Sequence, residues 1–229
     1  MKKFLLIVLA VSISFGFIAE EKNDPKSNKP IAVVKKIVKD VTHKKVDKTD
    51  WEAASLSVPL RDGEELKTGD KSLALVTFLD KSVLRVRENS ILKIYDESEN
   101  KNIKNNTYIE KGLVGFEIKP QDQGDEFKFT TPTVVASIRG TGGSIEFDDQ
   151  DSTTTVRLDS GNVFLQTLRG SQDLTGGNTA LIDRNREIQV YSQTEDDKKI
   201  NIESQRTNTK KIKIKTPQGD VVIEYYTND

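Results

Sequence analysis

Short runs in which apolar and polar residues alternate fill the chain from residue 31 onward. Leu84 and Val86 alternate with Arg85 and Arg87, and Leu92 and Ile94 flank Lys93. Val114, Phe116 and Ile118 share one face, as do Phe127 and Phe129, then Val134, Ala136 and Ile138. Ile145 with Phe147, Val156 with Leu158, and Val163 with Leu165 repeat the spacing. A period of two sends one set of side chains inward and the other toward water, which is the pattern of a half-buried strand. Residues 31–41 are rich in Val and Ile, and residues 73–79 are apolar on both faces, as in a strand covered on both sides. Gly63, Gly69, Gly112, Gly161, Gly177 and small Asp/Asn clusters punctuate these runs at intervals of about ten residues, the spacing of a sandwich, barrel or β-solenoid. The pattern predicts an all-β fold, with many short antiparallel strands in a twisted sandwich or β-solenoid-like stack over residues 31–190. No segment keeps a helical period for three turns. Residues 50–54 read as one helical turn, capped by Asp50 and carrying Trp51.

The two ends read differently from the middle. Residues 191–209 are polar, and a linker or loop is expected there. Lys211 to Lys215 then alternate strictly between Lys and Ile, Thr216-Pro217-Gln218-Gly219 has the residues of a turn, and an apolar run returns from Val221. This predicts a β-hairpin over 210–229 whose first strand carries lysines, a device suited to an exposed sheet edge. At the N-terminus, Met1-Lys2-Lys3 precedes a stretch of 14 uncharged residues, 4–17. A membrane-spanning helix needs roughly 20, so residues 1–19 read as a secretory signal peptide, cut after Gly16 or Ala19. An uncleaved anchor is the alternative. Polar residues 20–30 form a flexible spacer, and the mature chain is placed in the periplasm, on the cell surface or in the medium.

Composition narrows the chemistry. The chain has no Cys and one His. An exported protein without disulfides must be held by a packed core. Without Lys2 and Lys3 there remain 33 basic against 36 acidic residues, so no cationic excess marks a nucleic-acid partner. His43 lies in a Lys-rich stretch and reads as a solvated surface histidine rather than a member of a triad. Arg139-Gly140-Thr141-Gly142-Gly143-Ser144 has the look of a phosphate loop, but strand-like alternation follows it, with neither a helix nor a Lys. A bulge or strand-to-strand corner is the better reading, with Arg139 bonded to nearby buried carbonyls. Asp148, Asp149 and Asp151 read as a hairpin tip rather than a Ca²⁺ loop, which would need a glycine and a distal glutamate. No cofactor, metal or catalytic constellation is assigned.

The order of motifs resembles the FecR family, the extracytoplasmic sensor part of bacterial iron-uptake regulators. Gly63 to Gly69, with Thr68, looks like the family's G-D-x-L-x-T-G segment. Asp80-Lys81-Ser82 looks like its D-G-S hairpin, with Lys81 in place of Gly. Thr131-Pro132 through Arg139-Gly140-Thr141 resembles T-P-x-x-x-x-x-R-G-T, and Gly161-Asn162-Val163 resembles G-x-V. The resemblance implies an all-β sensor domain in which Gly63, Thr68, Gly69, Asp80, Ser82, Thr131, Pro132, Arg139, Gly140, Thr141 and Gly161 are structural. In family regulators a cytoplasmic sigma-binding segment precedes the membrane helix. Here three residues precede the apolar run, so a direct sigma-factor partner is not expected. The expected role is a stand-alone, non-enzymatic interaction or scaffold module of the bacterial envelope, whose partner is another envelope protein. A periplasmic sensor acting through a separate membrane partner, or a polysaccharide-active or polysaccharide-binding protein, are the alternatives.

Overall fold

The computed structural model describes residues 29–99, 101–207, 209–216 and 219–226. The expected signal peptide and nearly all of the spacer lie outside them, as does the centre of the last turn, Pro217-Gln218. The chain opens with β1 (Pro30–Val38), β2 (Val41–Lys44), β3 (Glu52–Ala53), β4 (Pro59–Arg61) and β5 (Glu65–Thr68). It continues through β6 (Leu73–Phe78), β7 (Val83–Val86), β8 (Ile91–Asp96) and the long β9 (Lys104–Ile118). Then come β10 (Glu126–Thr130), β11 (Val135–Ile138), β12 (Thr141–Asp148), β13 (Thr153–Leu158), β14 (Asn162–Gln166) and β15 (Ser171–Thr175). β16 (Asn178–Ile182) and β17 (Ile188–Ser192) close the β region, followed by α1 (Glu195–Gln205) and the hairpin β18 (Thr209–Thr216) and β19 (Gly219–Tyr226).

Strand pairing resolves β1–β17 into two layers. Sheet 1 has the order β4-β1-β6-β7-β9-β12-β13-β16-β17. Sheet 2 has the order β3-β2-β5-β8-β9-β10-β11-β14-β15. The chain makes a strand or a hairpin in one layer, then crosses to the other, so the layers grow together in solenoid fashion. All pairs are antiparallel except β9–β10, which is parallel. The inward side chains merge into one core, in which Phe78 of sheet 1 meets Phe127 of sheet 2 edge-on at 4.9 Å, and Phe116 meets Phe129 at 5.0 Å.

β9 belongs to both layers. Its first half pairs with β8 and β10 in sheet 2, its second with β7 and β12 in sheet 1. Asn105, Thr107 and Ile109 point inward in the first half, Val114, Phe116 and Ile118 in the second. The inward set therefore changes from odd to even numbers. A strand that changes layers must change parity to keep facing the core, and a register shift opposite Ile91/Leu92 supplies the extra residue. Gly112 absorbs the kink at φ +92°, where a Cβ would lie 2.6 Å from Ser90 Cα.

Two local expectations are corrected. Residues 50–54 form no helical turn: Glu52–Ala53 is β3, because Thr42 and His43 of β2 pair with it and Ala54 N–H donates to the Val41 carbonyl at 2.9 Å. Most of the described part of 191–209 is regular structure rather than a linker or loop. β17 runs to Ser192, and α1 follows with a capping box, in which the Thr194 hydroxyl accepts from Asp197 N–H at 3.1 Å and Asp197 Oδ2 accepts from Thr194 N–H at 3.1 Å. The helix has no apolar stripe, since its buried residues are Asp197, Asn201 and Ser204, so the usual periodicity was absent. At the C-terminus Thr209 to Thr216 pair with Gly219 to Tyr226 as a two-stranded ribbon.

Candidate functional site

Of the family-like motif residues, Gly63, Thr68, Gly69, Arg139, Gly140, Thr141 and Gly161 lie where the chain crosses between sheets, while Asp80, Ser82, Thr131 and Pro132 lie in turns within one sheet. Gly63 and Gly69 flank β5, Arg139-Gly140 joins β11 to β12, and Gly161 precedes β14. Thr68 Oγ1 donates to the Arg87 carbonyl at 2.5 Å and accepts from Ser90 N–H at 3.0 Å, tying its own crossing to the one between β7 and β8. Thr141 Oγ1 donates to the Ser160 carbonyl, tying the β11–β12 crossing to the β13–β14 crossing. The two threonines thus perform the same operation at two levels of the stack. Asp80 closes the β6–β7 turn by accepting from Ser82 N–H at 2.9 Å and Ser82 Oγ at 2.7 Å, while Ser82 Oγ accepts from Lys119 N–H at 3.1 Å. Thr131 is buried against Thr154 at 2.7 Å, and Pro132 stands exposed beside it. Gly140 has φ +127°, and a Cβ there would sit 2.8 Å from Pro120 Cα.

Two sequence readings change at this level. Arg139 does not reach buried carbonyls: it is exposed and its side chain makes no hydrogen bond among the described residues. Ile138 occupies the inward position, so the pleat sends Arg139 outward as the strand ends. His43 is buried rather than solvated, because it shares the inward face of β2 with Val41, and its Nε2 lies 3.9 Å from Glu64 Oε2. The Gly142-Gly143 segment is the start of β12, so no helix N-terminus follows it. Asp148 and Asp151 sit at an exposed hairpin tip and spend their oxygens on Gln150 N–H and Thr153 N–H. No group of three His, Cys, Asp or Glu side chains fit to hold a metal occurs among the described residues.

The surface that stands out is the outer face of sheet 2. Register aligns one row of side chains across five strands: Phe164, Ser137, Lys128, Asn106 and Tyr95. The next row runs Gln166, Val135, Thr130, Tyr108, Lys93, Glu65 and Lys44. At its far end Trp51 lies under Lys44 Nζ at 5.0 Å and Lys67 Nζ at 5.7 Å, and Lys93 Nζ stands 5.3 Å from the Tyr95 ring. Charges along the face are matched, Lys44 with Glu65 at 2.8 Å and Lys128 with Glu126 at 3.1 Å. Burial pushes the Tyr108 hydroxyl up, helped by Glu110. Burial alone would lower the Lys128 ammonium, but Glu126 and Glu97 outweigh it and raise it.

Toward β14 the face hollows into a concavity of about 840 Å³. Phe164, 43% exposed, lies among Arg139, Gly140, Asn162, Gln166 and Asp173 in its lining. Asn162, Gln166 and Asp173, like Arg139, make no side-chain hydrogen bond among the described residues, so the apolar ring is bordered by donors and acceptors without protein partners there. The motif segment Arg139-Gly140 is thus brought to the rim. Phe164, Tyr95, Tyr108 and Trp51 were not singled out from sequence as binding residues. For Phe164, Tyr95 and Tyr108 the signal was the outward half of each alternation, where an aromatic occupies a position that water would normally claim; Trp51 precedes β3 and carries no such signal.

The family model described as FecR protein matches residues 64–164, from the start of the β5 segment into β14. None of the curated proteins matches the chain. Two crystal structures from Parabacteroides distasonis ATCC 8503, at 1.65 and 2.50 Å and each described as a "putative anti-sigma factor", align with a TM-score of 0.49 at 16% identity. The alignment covers 56% of this chain and spans 59% of the length of theirs.

Proposed function

From the FecR domain at residues 64–164, we propose that the protein is an exported, non-enzymatic interaction module of the bacterial cell envelope, which docks a partner protein on the open outer face of sheet 2. The observation that carries this reading is the half-exposed Phe164 ring, set in a concavity among Arg139, Asn162 and Gln166. Aromatic and Arg side chains presented together are what dominates binding energy in protein interfaces. The matched charges across the rest of the face would supply orientation more than affinity. Export rests on the basic start and the 14-residue uncharged stretch.

The test is capture from an envelope extract with the mature protein and with Phe164→Ala and Arg139→Ala. The reading expects one specific protein, retained by the parent and lost by both variants while their unfolding free energies stay unchanged. Retention on cell-wall polysaccharide instead, lost in the same variants, would move the ligand to the polymer class. Export is tested separately by fractionation and N-terminal sequencing. The expected product lies outside the cytoplasm and begins near residue 17 or 20; an intact Met1 on a cytoplasmic product would refute it.

A further inference from the structure

The two layers end unequally. At the N-terminal end the edge strands are minimal: β3 has two residues, and β4 has three and opens with Pro59, which has no N–H. At the other end β15 closes sheet 2 and β17 closes sheet 1, each five residues long. Among the described residues β15 pairs with β14 alone, and Pro, Lys and bulges, the usual devices that blunt an edge, are missing from it. The Thr167 N–H donates to the Gly170 carbonyl at 2.8 Å and the Gly176 N–H to the Gly161 carbonyl at 2.9 Å. Ladder bonds alternate along an antiparallel pair, so Gln172 and Leu174 turn their backbone groups to β14, while Ser171 and Asp173 turn theirs away. Asp173 stands at the middle of this edge, cross-strand from Phe164, and its carboxylate has no hydrogen bond or ion pair among the described residues. On the inner side the end of the core is incompletely covered: Ile188 and Val190 of β17, close to β15, are only half-buried.

The C-terminal ribbon has the complementary pattern. α1 lies on the outer face of sheet 1 over β13, β12 and β9, with Arg157 Nε donating to Asp197 Oδ1 at 3.1 Å and Asn201 Nδ2 to Asp159 Oδ1 at 2.6 Å. It ends over the middle of the stack, where Gln205 Nε2 donates to the Phe116 carbonyl at 3.2 Å and Arg87 Nη1 to the Arg206 carbonyl at 3.0 Å. The ribbon thus starts away from the end formed by β15 and β17, and among the described residues β18 and β19 pair only with each other. A lone two-stranded hairpin is marginally stable in water. β18 reads Lys211-Ile212-Lys213-Ile214-Lys215, and a period of two assigns lysines and isoleucines to opposite faces of an extended strand. Ile212 and Ile214 are 47% and 42% exposed. A basic row and an apolar row on one strand match what the β15 edge leaves open, a carboxylate outside and half-covered core inside.

We propose that β18 of a second copy of this chain adds to β15 as the next strand of sheet 2, with a lysine opposite Asp173 and Ile212 and Ile214 over the core end beside Ile188 and Val190. Ser171 and Asp173 supply the edge N–H and carbonyl groups, as in strand addition generally. Like pairings are rejected on both sides. Two β15 strands centred on each other would set Asp173 against Asp173. Two β18 strands that kept their isoleucines on one face would set lysine against lysine. Like charges directly opposite destabilise a strand pair, so only the unlike pairing satisfies both edges. Exchange between two copies closes a dimer, and one-way addition continues into a chain; both use the same two strands. Arg139 takes no part in this pairing, which stands apart from the docking of another protein on the outer face.

Sedimentation of the protein over a range of concentrations, combined with hydrogen exchange, tests the pairing. The parent should form a dimer or larger assembly that dissociates on dilution, and its Ser171 and Asp173 amides should exchange about tenfold slower or more when associated. Asp173→Lys should be monomeric at the same concentrations with an unchanged unfolding midpoint, as should Lys211→Glu, Lys213→Glu and Lys215→Glu made together. Mixing these two charge-reversed proteins should restore the assembly, because each edge then meets a ribbon of opposite charge. Arg139→Ala, aimed at partner capture on the outer face, should leave self-association unchanged. A parent that stays monomeric throughout would overturn the proposal. So would an assembly that survives both reversals, a mixture that fails to associate, or new protection at Ile188 and Val190 of β17 in place of β15.

Discussion

At Arg139-Gly140 two neighbouring residues have separate tasks. Gly140 turns the chain from sheet 2 to sheet 1 at φ +127°, with Pro120 packed where a Cβ would be. Gly140→Ala should therefore cost about 1–3 kcal/mol, the range for a strained backbone position, read as a lower midpoint in chemical denaturation. Arg139 faces solvent without a hydrogen-bond partner among the described residues. Arg139→Lys should leave the midpoint within about 0.5 kcal/mol of the parent, as surface changes do. It should weaken partner capture, because an ammonium lacks the guanidinium's planar fork. A matching loss of stability in Arg139→Lys would show that the side chain supports the corner after all.

At the scale of elements, β9 and α1 show two ways of satisfying a surface. β9 keeps one row of side chains turned inward through its change of layer, Asn105, Thr107 and Ile109 before it and Val114, Phe116 and Ile118 after it. α1 is held by ionised and amide groups, and its hold should depend on pH. Burial pushes the Asp197 carboxyl up, but hydrogen bonds from the Thr194 hydroxyl and N–H, then from Arg157 with its charge, outweigh that and hold it below the ordinary carboxylate range. A depressed folded pKa means a stabilising contribution that is complete above the unfolded value, about 3.9 for Asp, and is lost as pH falls through the folded value. Arg157, Glu146 and Tyr191 are ionisable groups around it, and Asp159, which accepts from Asn201 of the same helix, is pushed up by burial. The Asp197 contribution to α1 protection, read as the difference between the parent and Asp197→Asn, should therefore be constant from pH 7 to about pH 5 and fall at lower pH. Simultaneous loss in helix and sheets would mean that α1 is an integral part of the cooperative unit.

For the whole molecule, the decisive feature is that two layers share one core and one strand. Phe127 and Phe129 of sheet 2 pack on Phe78 and Phe116 of sheet 1, so both layers depend on the same aromatic cluster. Phe129 is fully buried, and Phe129→Ala should cost about 3–5 kcal/mol. The loss should appear in probes of both layers at the same denaturant concentration. A variant in which sheet 2 melts first, leaving sheet 1 protected, would show that β9 does not couple them. The same architecture leaves the two outer faces free to differ: one is capped by α1, the other open along rows of aromatic and charged side chains.

Alternation of Leu84 with Arg85, or of Phe127 with Lys128, was enough to set strand identity and the inward face, because a period of two is a local property of the extended chain. The glycines and threonines of the family-like segments were legible for the same reason, as a turn requires its own residue types. Other features depended on residues far apart in sequence. His43 is buried because β5 and Glu64 come alongside β2. Glu52 and Ala53 extend because β2 offers them an edge. The helix at 195–205 was hidden because its docked side is polar, and only Arg157 and Asp159 supply the partners of that side. The row from Phe164 to Tyr95 exists only after five strands have found their register. Local patterning determined the strands, their inward faces and their turns; which outward side chains meet, and which face stays open, only the tertiary pairing decided, because that depends on registers between segments that no local period encodes.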